Sequence, residues 1–253
     1  MAQSLFDLKH KKMQLTRAAS RAPQRDAWFL HHQICEEMSE RLLPLNLSFE
    51  RVLVLRDLGF DWQAAVPEKL ARAKLDVVEL PLDGILDVEP ESYDLVLAPL
   101  ALHWVEDLPQ LLLRSRFALR SNGMFLGSLF GGESLIELRQ CLAQAEEELC
   151  GGVSQRFSPS IDLRAAAGLM QSAGFALPVA DVDRVDLKYA EPQKLLRDLS
   201  ASGESNAILA RPRGFASRAL LSRTSQLYRQ RFADDQGHVP VTCEVIHLSG
   251  SAL

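Results

Sequence analysis

His103 and Trp104 follow an apolar run, Tyr93–Ala98 (YDLVLA), after a four-residue connection. Strand ends are where open α/β sheets contact ligands, and an imidazole titrates near neutrality. His103 is therefore a candidate base or substrate hydrogen-bond partner; the plainer alternative is a histidine that caps a loop beside a packed tryptophan. Phe130-Gly131-Gly132-Glu133 holds a similar place after the next apolar run. Its glycines remove side chains and could admit a substrate backbone, or they make a tight turn in which Glu133 favours the dipole of the following helix. Glu204 and Asn206 lie in a Gly-, Ser-, Arg- and Pro-rich stretch at 200–214, where they could clamp a guanidinium or simply be solvated. The catalytic group is unassigned: no Ser-His-Asp order, P-loop or DNA-reading helix stands out. No metal site is expected either, since His31 and His32 are adjacent and cannot form the usual i, i+4 pair on a helix.

These candidates need a frame of strands and helices. Arg51–Leu55, Leu75–Leu80, Tyr93–Ala98 and Met124–Leu129 are short apolar runs that read as buried parallel strands. Between them, Gln63–Lys74 and Pro109–Leu119 read as helices, the second stopped by a Ser121-Asn122-Gly123 turn. Helices are also expected over 26–43, Glu133–Leu149, Asp162–Gly174, Pro192–Leu199 and Phe215–Phe232, with strands at Ala180–Tyr189 and Val239–Leu248. The alternation gives an α/β protein, a mostly parallel sheet with helices on both faces and an antiparallel contribution from the last two strands. The stretch 200–214 reads as a surface loop or lid.

Composition narrows the function classes. In 253 residues, 47% are apolar and 24% charged, ordinary for a globular chain. A net charge of −5 gives no bulk attraction to nucleic acid or to anionic lipid. No apolar run approaches the roughly 20 residues of a spanning helix, so no membrane span is expected. Cys35, Cys141, Cys150 and Cys243 are scattered, as for reduced, mostly packed thiols. Lys9, Lys11, Lys12, Arg17, Arg21 and Arg25 form a basic stretch without an acid. It lacks the apolar core of a secretory signal, and reads as a solvated or docking helix that packs over the mouth of the sheet or binds a partner.

The block Tyr93–Val105 (YDLVLAPLALHWV) resembles the fourth strand and following loop of class I S-adenosylmethionine-dependent methyltransferases. Phe130-Gly131-Gly132-Glu133-Ser134-Leu135, Glu137-Leu138-Arg139, Ala145-Glu146, Gly151-Gly152, Ala173-Gly174-Phe175, Gly203-Glu204-Ser205-Asn206 and Glu244–Leu248 are similar to the methyltransferase-like assembly factors of respiratory complex I. A more distant likeness is to the malonyl-carrier-protein methyltransferases of biotin synthesis. The resemblance covers nearly the whole chain. It implies one Rossmann-like domain over 1–253: a helical amino-terminal extension at 1–45, a nucleotide half at 50–130, and a substrate or partner half at 131–253. It also implies a seven-stranded sheet, S-adenosylmethionine at the carboxyl ends of the first strands, and a protein client such as a respiratory-complex subunit, with homo- or hetero-oligomers open. The expected location is cytoplasmic, or the mitochondrial matrix in a eukaryote. Asp57, Gly59, Glu79 and Leu100 would be the cofactor contacts; His103, Trp104, Phe130, Gly131, Gly132, Glu204 and Asn206 would face the substrate or partner. In the mitochondrial relative the resemblance points to arginine hydroxylation on a complex I subunit, so fold does not dictate the reaction.

Two departures from the family pattern bear on the cofactor. The family's first strand ends in an acid followed by Gly-x-Gly-x-Gly, because the backbone turns tightly against the ligand. Here the stretch is Val54-Leu55-Arg56-Asp57-Leu58-Gly59-Phe60-Asp61-Trp62. In one register Val54 stands at the acid and Arg56 and Leu58 at glycine positions; aligning Asp57-Leu58-Gly59 instead puts Asp61 and Trp62 in the later turn. Either way a side chain occupies a close-approach position, at a cost of about 1–3 kcal/mol where φ must be positive. From Glu79 to Tyr93 there are only fourteen residues, too few for a helix and strand at usual lengths. A trimmed third strand and weak or absent S-adenosylmethionine binding are therefore expected. The chain then reads as a pseudo-methyltransferase scaffold, with an active methyltransferase or arginine-modifying enzyme as the alternative.

Overall fold

The computed structural model describes residues 4–20, 25–56, 67–214 and 216–253. Arg51–Arg56 (β1), Lys74–Glu79 (β2), Tyr93–Ala98 (β3), Leu119–Phe130 (β4), Ala176–Tyr189 (β5) and Val239–Ser251 (β6) make one six-stranded sheet of order β2-β1-β3-β4-β6-β5. The first four strands are parallel, and β6 runs antiparallel between β4 and β5. Period-two alternation sends Val52, Val54, Leu95 and Leu97 to one face and Leu53, Leu55, Val96 and Ala98 to the other. The first face is covered by Phe29–Leu42 (α2), Ile136–Cys150 (α4) and Arg218–Phe232 (α7), the second by Leu108–Ala118 (α3) and Leu163–Ser172 (α5). Leu8–Ser20 (α1) and Pro192–Ala201 (α6) complete seven helices among the described residues. Helix starts follow side-chain chemistry: Asp107, Asp162 and Ser217 each accept a backbone N–H three residues on, from Gln110, Ala165 and Leu220.

The expected α/β architecture and the antiparallel closing pair are present. Several boundaries differ. The resemblance implied seven strands; among the described residues there are six, and β2 is an edge strand with no strand formed between Leu80 and Ser92. The trimmed connection is thus a real loss at that edge. The helix expected over Gln63–Lys74 is, in its described part, a single 3-10 turn at Glu68–Leu70 before β2 begins at Lys74; residues 63–66 lie outside the described residues. Pro67 cannot donate a helical hydrogen bond, and the segment to β2 is short. Ser121-Asn122-Gly123 does not end a helix: α3 stops at Ala118, and these residues sit inside β4, whose pairing with β3 shifts register between Tyr93 and Leu95. The helix expected from Glu133 starts at Ile136, because Leu135 adopts a left-handed φ of 57°. The helix expected from Phe215, itself outside the described residues, starts at Arg218 after the Ser217 cap.

The amino-terminal helix packs over the carboxyl end of the sheet. Phe6 bridges to Ile208, Leu209 N–H donates to Leu5 O, and Asp7 N–H donates to Ala207 O. The Leu5 and Phe6 N–H groups both donate to the Glu106 carboxylate. The 200–214 stretch is consequently stitched to α1 rather than free as a lid, with Gly203, Ala207 and Ile208 buried. Cys35, Cys141 and Cys243 are buried free thiols and Cys150 is exposed.

Candidate functional site

Three sequence-predicted residues come together at the mouth of the sheet. His103 and Trp104 lie in a 3-10 turn just after β3, and Glu204 arrives from the loop after α6. His103 Nε2 lies 2.9 Å from Glu204 Oε2, and Trp104 Nε1 donates to the same oxygen at 2.7 Å. A fourth member, Lys11 of α1, was read from sequence only as part of a basic surface; it is fully buried. Its Nζ donates to Gly203 O at 2.9 Å, lies 3.5 Å from Glu204 Oε1, and sits 4.0 Å from the centre of the Trp104 ring. Burial raises the Glu204 pKa, but Lys11 and then His103 overcome that and hold the carboxyl well below its usual range. An ionised Glu204 can only accept, which puts the His103 proton on Nε2. His103 Nδ1 is buried without a hydrogen-bond partner, and Phe130 fixes the ring edge-on at 4.7 Å.

His103, Trp104 and Glu204 line a cavity of about 350 Å³, which Phe130, Gly131 and Asn206 also line. Its walls are largely apolar, with Phe29 and Leu30 from α2, Leu135 and Leu142 at α4, Phe157 and Leu196. This is the size and character of a small-ligand or side-chain pocket. His31, from the start of α2, also lines it; burial, against the attraction of Glu204, pulls its pKa down to about 4, so at neutral pH it is uncharged. Adjacency had excluded His31 and His32 as a metal pair, but gave no sign that His31 joins this wall; only the packing of α2 on the sheet does that.

The other predicted residues divide. Gly131 N–H donates to Glu244 O, and a Cβ at Gly131 would lie 2.2 Å from Glu244 Oε1. The space that glycine leaves is taken by Glu244 of β6. Gly132 O accepts from Arg139 Nη1. Asn206 gives its amide to Gln155 O and accepts from Ile208 N–H, so its side chain shapes the loop, while Glu204 is held by Lys11, His103 and Trp104.

At the nucleotide end, Asp57 and Gly59 lie outside the described residues, as does the whole turn from 57 to 66. Glu79 ends β2 opposite Arg56, where a ribose-binding carboxylate would stand. Lys12 Nζ from α1 reaches to 3.7 Å of it. Leu100 is fully buried with φ 45°, and its N–H donates to Ser128 Oγ at 2.7 Å. Leu82, from the segment that stands in place of a third strand, packs with Leu5, Phe6 and Leu8. Glu79 stands where a ribose-binding carboxylate would, and the turn that would face the rest of the cofactor, residues 57–66, lies outside the described residues.

No family model matches the chain. It is 30% identical to the arginine-hydroxylase NDUFAF5, mitochondrial, of Rattus norvegicus, over 98% of this chain and 78% of that one. It is 37% identical to a malonyl-[acyl-carrier protein] O-methyltransferase of Halorhodospira halophila, over 86% of this chain and 79% of that one. Among solved structures, a Bacillus halodurans protein assigned as a methyltransferase superposes with a TM-score of 0.51 at 11% identity, covering 85% of this chain and 97% of that one. That likeness is one of fold.

Proposed function

The chain belongs to the class I methyltransferase-like family that includes NDUFAF5 of the complex I assembly factors and the malonyl-[acyl-carrier protein] O-methyltransferases, and from that premise we propose that it is a client-binding assembly factor with a reduced cofactor site. The observation that carries this reading is the sheet edge at β2, which has no neighbouring strand among the described residues, while an apolar cavity of about 350 Å³ stands beside His103 and Phe130. In open α/β sheets a nucleotide lies across the carboxyl ends of the strands, so loss of an edge strand removes part of the wall that would hold adenine. The Lys12 contact to Glu79 and the packing of Leu82 under α1 support the same reading. The client is a protein side chain or loop offered to the cavity, from a respiratory-complex subunit. The mitochondrial relatives support the matrix as the place of work. Among the described residues no helix is long and apolar enough to cross a membrane. Calorimetric titration of the full chain with S-adenosylmethionine tests the proposal: a dissociation constant above roughly 100 μM is expected, less than about 5.5 kcal/mol of binding. Saturation at low micromolar ligand overturns it.

A second reading is favoured by one specific arrangement. Glu204 accepts from His103 Nε2 and orients the ring, which leaves Nδ1 buried without a hydrogen-bond partner. A client N–H or O–H seated in the cavity would find a base there, and the chain would be an enzyme that modifies a protein side chain. Mass spectrometry of a client subunit incubated with wild type and His103→Ala decides between the readings. A modification present only with wild type establishes the enzyme.

A further inference from the structure

A second polar cluster lies outside the cavity, six residues beyond His31 on α2, about 9 Å further along the helix. Glu37 of α2, Asp183 of β5 and His247 of β6 each bring one donor atom to a common point, all within 4.8 Å of one another. The His247 side chain is 1% exposed, and its Nε2 lies 3.5 Å from Glu37 Oε2 and 3.4 Å from Asp183 Oδ2. Neither ring nitrogen has a hydrogen-bond partner, and neither does Glu37 Oε2. Buried polar atoms left this way are costly, which asks what satisfies them.

We propose that Glu37, Asp183 and His247 bind a divalent transition-metal ion of the zinc class. The spacing fits: bonds of about 2.0–2.1 Å from a tetrahedral ion place neighbouring donors about 3.3–3.4 Å apart, close to the two separations from His247. The charge fits as well. Arg41 bonds both Asp181 oxygens and Asp183 Oδ2, Glu37 adds a third carboxylate beside His247, and a divalent ion offsets the net negative charge of that group. The surroundings orient the donors, since Gln33 Nε2 holds Glu37 Oε1 at 3.0 Å and Arg41 holds Asp183, as outer-shell partners do in metal sites. One imidazole and two carboxylates suit zinc and its neighbours better than calcium or magnesium, which take oxygen donors. Asp183 and Glu37 are partly exposed at 48% and 26%, which gives the ion a way in and leaves a fourth position for water. Chain spacing could not reveal this site, because its three donors come from three elements.

The test uses the full chain stripped with a chelator. Calorimetry with zinc and visible absorption with cobalt(II) are expected to show one equivalent bound, the cobalt in the intense spectrum of tetrahedral coordination. Glu37→Gln and Asp183→Asn alter partly exposed side chains, so both variants are expected to keep their circular dichroism and to weaken binding at least about tenfold. A Cys150→Ser variant should bind as wild type does. Absence of binding to wild type, or equal binding by wild type and both carboxylate variants, overturns the proposal.

Discussion

Lys11 and Glu204 form an ion pair closed off from water, with Nζ 3.5 Å from Oε1 and side chains 0% and 6% exposed. Neither charge is tolerable there alone, because desolvation of an unpaired ion outweighs the packing around it. Lys11→Met is expected to destabilise the fold by about 3–5 kcal/mol, and Glu204→Gln by a similar amount. The double variant should cost less than the sum of the two, since it removes both charges together. Urea denaturation of the four proteins measures the coupling; strict additivity would show that the two charges act independently.

The same pair makes stability depend on acid. Glu204 has a folded pKa held below its ordinary 4.5. Below 4.5 the unfolded chain takes up a proton that the native chain refuses, so the contribution is complete above 4.5 and drains away as pH falls. Glu204→Gln should show a flatter loss of stability between pH 5 and pH 3 than wild type, read from urea midpoints at each pH.

His31 adds a second slope at milder pH. Burial lowers its pKa from 6.5 to about 4. Between those values the unfolded chain binds a proton and the native chain does not, so stability rises with pH through this window and levels above 6.5. His31→Gln should remove about 2 kcal/mol of the difference between unfolding at pH 5 and unfolding at pH 7.

Gly131 serves the packing of β6. A Cβ there would meet Glu244 Oε1 at 2.2 Å and Cγ at 2.8 Å, so Gly131→Ala should cost about 1–3 kcal/mol. Adding Glu244→Ala should recover part of that loss. Thermal unfolding of the two proteins reads it, and no recovery would mean that the glycine is needed for a backbone reason.

Lys12 makes the contrast with its neighbour. Its ammonium reaches Glu79 at 3.7 Å with side chains 66% and 39% exposed, a pair that water screens. Lys12→Ala should change stability by no more than about 0.5 kcal/mol, although it stands one residue from Lys11.

The sheet was legible where strands are continuous apolar runs. Tyr93–Ala98 matches the expected strand at both ends, and Arg51–Arg56 exceeds it by one residue. The turn residues Ser121-Asn122-Gly123 misled because Asn122 takes a left-handed φ of 63° inside β4, where pairing with β3 absorbs the irregularity as a bulge. At the site, His103 and Trp104 were legible because strand ends are where such sheets meet ligands. Lys11 was not: a lysine in a run of basic residues looks solvated, and nothing local announces that a glutamate far along the chain will bury it. His247, Glu37 and Asp183 were hidden for the same reason, each ordinary within its own strand or helix.

The stitch between the start of the chain and the 203–209 loop carries a consequence in time. Synthesis proceeds from the amino terminus, and Gly203, whose carbonyl Lys11 grips, follows it by 192 residues. At ribosomal speeds of about 5–20 residues per second, that is a wait of roughly 10–40 s. Through that interval α1 has no counter-ion for Lys11 and no Ile208 to bridge with Phe6, and the segment is held only by its contacts with Leu82, Trp104 and Glu106. α1 is therefore among the last of the described helices to be fixed, because the buried Lys11–Glu204 pair closes only once the 203–209 loop exists.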